Sequence, residues 1–257
     1  MKVKKIFSII PEFKIPGNEK LYIVCVDIIR NINNLFSVEI DGNIVLVNLL
    51  NRLHNVFIDL GTLKVIKDVI AEEYYIEYVT HVLSIEEIII RTLDIIDNAL
   101  ARLETLKNRV GMVKRELEDN FSDLGKIIGV KKDTILNIGK DGLPLLYKDL
   151  VEKNFIAKDK ERIFILLFEL IINAYRYTVP ETIRRINIWK ENINKIKSVY
   201  EEILKTRTGI TDRDATIILS IQTFLMRHIK DITNILLGNS QLMAIMMDAV
   251  RKLFLYI

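Results

Sequence analysis

The feature that most constrains this chain is an apolar stripe running from Ile85 to Leu117. Ile85, Ile88, Thr92, Ile96, Ala99, Leu103, Leu106, Val110, Val113 and Leu117 recur at alternating spacings of three and four, which amounts to roughly nine helical turns. Arg102, Glu104, Lys107 and Arg109 occupy the other faces. The pattern predicts a long amphipathic helix able to form a bundle or coiled-coil seam. Ser84, with Glu87 three residues on, reads as the capping box that starts it. Gly111 interrupts the stripe at modest cost.

Past this helix the segment F-S-D-L-G-K-I-I-G-V-K-K-D-T-I-L-N-I-G-K-D-G-L-P runs from Phe121 to Pro144. Leu124 and Ile128 lie one helical turn apart. Gly125 leaves room for a second helix, and Gly129 accepts the positive φ of a turn. Ile135 and Ile138 give the next helix an apolar edge. The segment resembles the helix-turn-helix of the Cro/C1-type repressors over residues 122–144. It departs from that family at Asp123, where a glutamine is common, and at Gly139, where an acidic residue is usual. The resemblance implies that residues 122–142 read DNA. Lys131, Lys132, Thr134 and Asn137 would then face bases and backbone, and Lys126 and Lys140 would contact phosphates.

The C-terminal half reads as antiparallel helices on short loops. After Pro144 a helix is predicted to end near Asn154, and Asp159 to Tyr177 forms another, stopped by Val179-Pro180. Thr182 to Leu204 carries a stripe of Ile183, Ile186, Ile193, Ile196, Tyr200 and Ile203. Gly209 breaks it, Thr211 or Asp212 caps the next helix, and Gly238-Asn239-Ser240 turns the chain into a last one. The N-terminal part looks different. Val3 to Ile10 reads as a strand, and V-E-I-D-G-N-I-V-L-V, from Val38 to Val47, places Asp41-Gly42 between β-branched runs, a hairpin signal. The segment around it is similar to the opening hairpin of a PAS sensor domain. The fold expected is therefore mainly α: long antiparallel helices in a bundle, with a small mixed α/β module at residues 1–83 and a helical domain at 84–257.

Composition narrows the function. Half of the 257 residues are hydrophobic and the net charge is only +3, so disorder is excluded and a strongly basic binding surface is not implied. The mean hydropathy of +0.21 is high for a soluble monomer and implies helices buried on more than one face, or an oligomer interface. Cys25, the single cysteine, rules out an intrachain disulfide and fits a reducing, cytoplasmic setting. The apolar core after Met1, Ile6 to Ile10, is too short for a signal peptide. No stretch of about 20 residues is both apolar and uncharged, so no membrane span is expected.

The run L-L-F-E-L-I-I-N-A-Y-R-Y-T-V resembles the N-box of GHKL ATPases such as histidine kinases. That resemblance implies that Asn173 holds Mg²⁺ against nucleotide phosphates, with Glu169 as a nearby base. The nucleotide-reading pattern that should follow falls on Lys205 and Arg207, and the lid keeps only Gly238 of its glycines. Glu77 and His81 share a helical face at a metal-compatible spacing, without a second such pair. No Walker loop, nucleophile elbow or dinucleotide fingerprint occurs, and the residues imply no cofactor, no metal and no catalytic set.

These readings lead to a DNA-binding regulatory protein working as a homodimer, with residues 84–118 as its strut. The alternative is an all-α scaffold that binds a protein partner without nucleic acid or catalysis. A degenerate GHKL-like sensor using Glu169 and Asn173 comes third.

Overall fold

The computed structural model describes residues 19–70, 75–139, 141–206, 209–229 and 232–254. Among them every regular element is helical: α1 (Glu19–Ile70), α2 (Tyr75–Ile128), α3 (Lys132–Leu136), α4 (Gly142–Glu152), α5 (Glu161–Asn173), a π-helical turn (Ala174–Thr178), α6 (Val179–Thr206), α7 (Asp212–Ile229) and α8 (Ile232–Phe254). The mainly α class is as expected. The mixed α/β module is not found: the stretch read as a hairpin, residues 38–47, lies inside α1. The strand read at Val3 to Ile10 falls outside the described residues.

The reason is visible in the burial pattern. Val38, Gly42, Val45, Leu46, Leu49 and Leu53 are all buried, a period of three and four rather than two. Gly42 serves close packing instead of a turn, because a Cβ there would stand 2.7 Å from Cζ3 of Trp189. Other boundaries move for comparable reasons. α2 begins at Tyr75, ahead of the Ser84–Glu87 box, and runs unbroken past Gly111, where an added Cβ would meet nothing. α8 likewise passes straight through residues 238–240. Pro180 does not stop the chain; it lies in the first turn of α6, where its missing N–H costs nothing.

The chain divides into two compact units, each drawing on segments from both sides of residue 83. The first comprises Met1–Asn34, Val113–Thr178 and Asn239–Ile257. Its core joins Cys25, Ile28, Ile29 and Ile32 of α1, Leu117, Phe121 and Leu124 of α2, Phe164, Leu167 and Phe168 of α5, and Val250 of α8. Phe121 meets Tyr175 edge-on at 5.5 Å, and Tyr22 meets Phe254 at 5.8 Å. The Asn31 amide donates to Asn120 Oδ1 at 2.9 Å, tying α1 to α2.

The second unit comprises Leu35–Met112 and Val179–Gly238. Here α6 packs on both long helices. The Lys197 ammonium pairs with Asp97 at 2.6 Å and Lys190 pairs with Glu104, so α6 and α2 run antiparallel. Thr182 Oγ1 donates to Glu39 Oε1 at 2.9 Å on the α1 side. Ile186, Trp189, Ile193, Ile196, Tyr200 and Ile203 form the buried face of α6. α7 then folds back on α6 after a turn at Gly209, whose φ is +79°.

Candidate functional site

Two places concentrate exposed chemistry: the corner between α2 and α4 in the first unit, and α7 in the second.

The corner has the local geometry of a helix-turn-helix. A Cβ on Gly125 would run into the carbonyl oxygen of Val130, so only glycine lets the chain fold back there. Gly129 has φ +76°, and Val130 N–H donates to the Gly125 carbonyl at 2.9 Å. Ile135 is fully buried and anchors α3. Around it Lys126, Lys131, Thr134 and Asn137 are exposed and Lys132 is half-buried; Lys140 lies outside the described residues. Asp123 holds Lys126 at 2.7 Å and raises its pKa.

The second helix is shorter than the stripe suggested. α3 is five residues long, about 7.5 Å at 1.5 Å per residue, and Asn137 already forms its C-cap. Arg176, in the π-helical turn, closes that end. Its Nε donates to the Leu136 carbonyl at 2.6 Å and its second guanidinium nitrogen to Ile138 at 3.2 Å. A cation at a helix C-terminus satisfies orphan carbonyls and complements the dipole. Lys153 does the same for α2, donating to Ile128 at 3.1 Å. Tyr175, one residue before Arg176, donates to Glu118 at 2.8 Å, and burial, with that carboxylate beside it, drives its phenol pKa upward.

Sequence reading missed Arg176, Lys153 and Tyr175 because their partners are distant in the chain. One signal was available. A proline ring clashes with the carbonyl four residues back, here that of Arg176. The π-helical turn ahead of Pro180 carries both Tyr175 and Arg176.

Glu169 and Asn173 lie on α5, both half-buried. Among the described residues no strand flanks them. Cys25 is fully buried, which pushes its thiol up to about 12 and leaves it inert. Among the described residues no three His, Cys, Asp or Glu side chains gather as metal ligands. The side chains of Glu77 and His81 are outside those described.

α7 starts with a reciprocal capping box. Asp214 N–H donates to Thr211 Oγ1 at 3.2 Å, and Thr211 N–H donates to Asp214 Oδ2 at 3.0 Å. The helix buries only Ile218, Gln222 and Leu225. On the opposite face Thr216, Ser220, Thr223 and Arg227 line an open groove of about 580 Å³, edged by Leu219 and Phe224. Those edges remain 44% and 39% exposed. Phe224 packs against the His228 ring at 4.5 Å. Burial lowers the His228 pKa, helped by the nearby Arg185 and Arg184 charges. Glu181 chelates both arginines, at 2.7 and 2.9 Å, and the Arg184 hydrogen bond first of all brings its carboxyl down to about 2.

Two helical stretches, Glu19–Asp59 and Glu161–Thr206, are long and apolar enough to cross a membrane by length and composition.

No family model matches the chain, and neither a curated protein nor a solved structure is similar to it.

Proposed function

We propose that this chain is a helical interaction protein that assembles through the outer face of α7, first of all with a second copy of itself. The observation that carries the reading is the groove over Thr216, Ser220, Thr223 and Arg227 with Leu219 and Phe224 at its edges. A floor of small side chains lets another helix approach closely, and apolar edges reward its burial. The same groove on two copies is self-complementary, as a two-fold pairing requires. The reading places the chain in the cytoplasm rather than across a membrane. Beyond the apolar part of Glu161–Thr206 the helix continues into Arg184, Arg185, Lys190 and Lys197, which all engage carboxylates. The test is light scattering on a sizing column, wild type beside Ser220→Arg. Ser220 is exposed, so the substitution fills the groove without disturbing the core. A dimer that Ser220→Arg converts to monomer supports the proposal; a wild-type monomer at every concentration sinks it.

A DNA-binding regulator, dimeric and using residues 122–142, is the second reading. It is favoured by the exposure of Lys126, Lys131, Thr134 and Asn137 around a correctly built Gly125–Gly129 turn. It ranks lower for two reasons. A five-residue α3 offers little more than one turn to a major groove, and Asp123, Asp133 and Asp141 offset the local lysines. Anisotropy titration against mixed-sequence duplex at two salt concentrations decides it. Salt-steep binding that flattens in Lys131→Ala/Lys132→Ala would promote this reading above the first.

A further inference from the structure

Next to the Ser220 groove on α7, in the same unit and sharing Thr223 and Arg227 with it, lies a groove of about 630 Å³ between α1 and α7. We propose that it is a binding site for a small apolar carboxylate. Its volume falls in the range that holds a small molecule. Val47 and Leu50 of α1 and Met226 and Ile229 of α7 are its apolar lining residues, and the exposed lining is chiefly apolar. Asn51 and Thr223 also line it, and three further polar groups set the ligand's chemistry.

Gln222 lines the groove and is only 7% exposed, and its Nε2 finds no acceptor among the described residues. A buried donor without an acceptor is rare in folded proteins and calls for an explanation. The terminal amide torsion is soft, so a small rotation turns that donor to an oxygen seated in the groove. Arg227 and His54 line the same groove from opposite helices. Both are exposed, and neither pairs with a carboxylate among the described residues. The guanidinium offers two parallel donors that match a carboxylate. The ligand is then an apolar chain lying on Leu50 and Met226, with its carboxylate oxygens taken by Arg227 and Gln222.

The inference does not rest on assembly through Ser220, because the groove is formed within one copy of the chain. Its test is calorimetric titration of the intact protein with decanoate below its micelle concentration, with decanol as the uncharged comparison. Wild type should bind one decanoate saturably, and decanol at least tenfold more weakly. Met226→Trp, at an exposed position, should fill the groove and abolish binding while leaving the helical circular dichroism and melting unchanged. Arg227→Ala should weaken decanoate about tenfold and leave decanol unaffected. The assignment is overturned by absence of saturable decanoate binding, by decanol binding as tightly as decanoate, or by Met226→Trp binding as well as wild type. Because column light scattering on Ser220→Arg reads assembly alone, failure of one proposal is distinguishable from failure of the other.

Discussion

Gly42 sits directly beneath the indole of Trp189, so that a single methyl at residue 42 would lie 2.7 Å from Cζ3. In an exposed helix, glycine to alanine gains roughly 1 kcal/mol from propensity. At this position the sign should reverse, because overpacking a filled core costs about 1–3 kcal/mol. Gly42→Ala should therefore lower the melting temperature. Trp189 is the only tryptophan, so its emission should shift in the same variant. An unchanged or raised melting temperature would show that α1 and α6 do not pack as described.

Arg176 closes the end of α3 with two hydrogen bonds to main-chain carbonyls. Hydrogen bonds from a charged donor contribute more than neutral ones, so Arg176→Gln should cost about 2 kcal/mol. The effect should be local. Amide exchange should accelerate at residues 133–138 and stay unchanged along α6. Uniform exchange with no local change would remove Arg176 from this role.

Glu39 and Glu181 should respond to pH in opposite senses. Burial raises the Glu39 pKa above 4.5 in the folded state, with Thr182 and Arg185 offsetting only part of that. A raised carboxyl pKa contributes stability that is present below 4.5 and lost as pH rises through the folded value. Glu39→Gln should then be more stable than wild type at pH 7, with the gain vanishing below pH 4.5. Glu181 is held down at about 2, so its contribution is present above 4.5 and lost as pH falls toward 2. Glu181→Gln should be less stable than wild type at pH 7 and equal to it near pH 2. Denaturant midpoints measured across this range check both, and parallel curves for the two variants would contradict the assignment.

Gln222 lies on the buried face of α7 with an amide nitrogen that meets no acceptor among the described residues. Replacing it by leucine keeps the volume and removes the desolvated donor. Gln222→Leu should raise stability by about 1 kcal/mol. It should also weaken decanoate binding, a cost that a purely structural glutamine would not show. A loss of stability would mean that the amide is satisfied in solution.

How much of this could be read from the chain depends on the range of the interaction. The stripe from Ile85 to Leu117 was legible because a helix brings residues three and four apart onto one face. Leu103, Val110 and Leu117 are indeed fully buried, and so is Thr92, which donates to the Ile88 carbonyl. The turns at Gly129 and Gly209 were legible too, since positive φ is a property of the residue itself. The Ile135 anchor and the Gly125 approach followed from the same local spacing.

What failed was of another kind. Val38 to Val47 carries β-branched residues around Asp-Gly, a pattern that permits hairpin or helix. In the fold it is helix, with Gly42 leaving room for Trp189 from far along the chain. Arg176, far along the chain, likewise reaches the Leu136 and Ile138 carbonyls at and beyond the end of α3. The α1–α7 cavity exists only because helices distant in sequence were brought together, whereas the exposed groove residues of α7 all lie on that one helix. Local periodicity and backbone stereochemistry alone determined that this protein is helical and where several of its turns fall. Tertiary packing decided which glycine is a turn and which a contact, and which side chains line a site, because those depend on neighbours no sequence window contains.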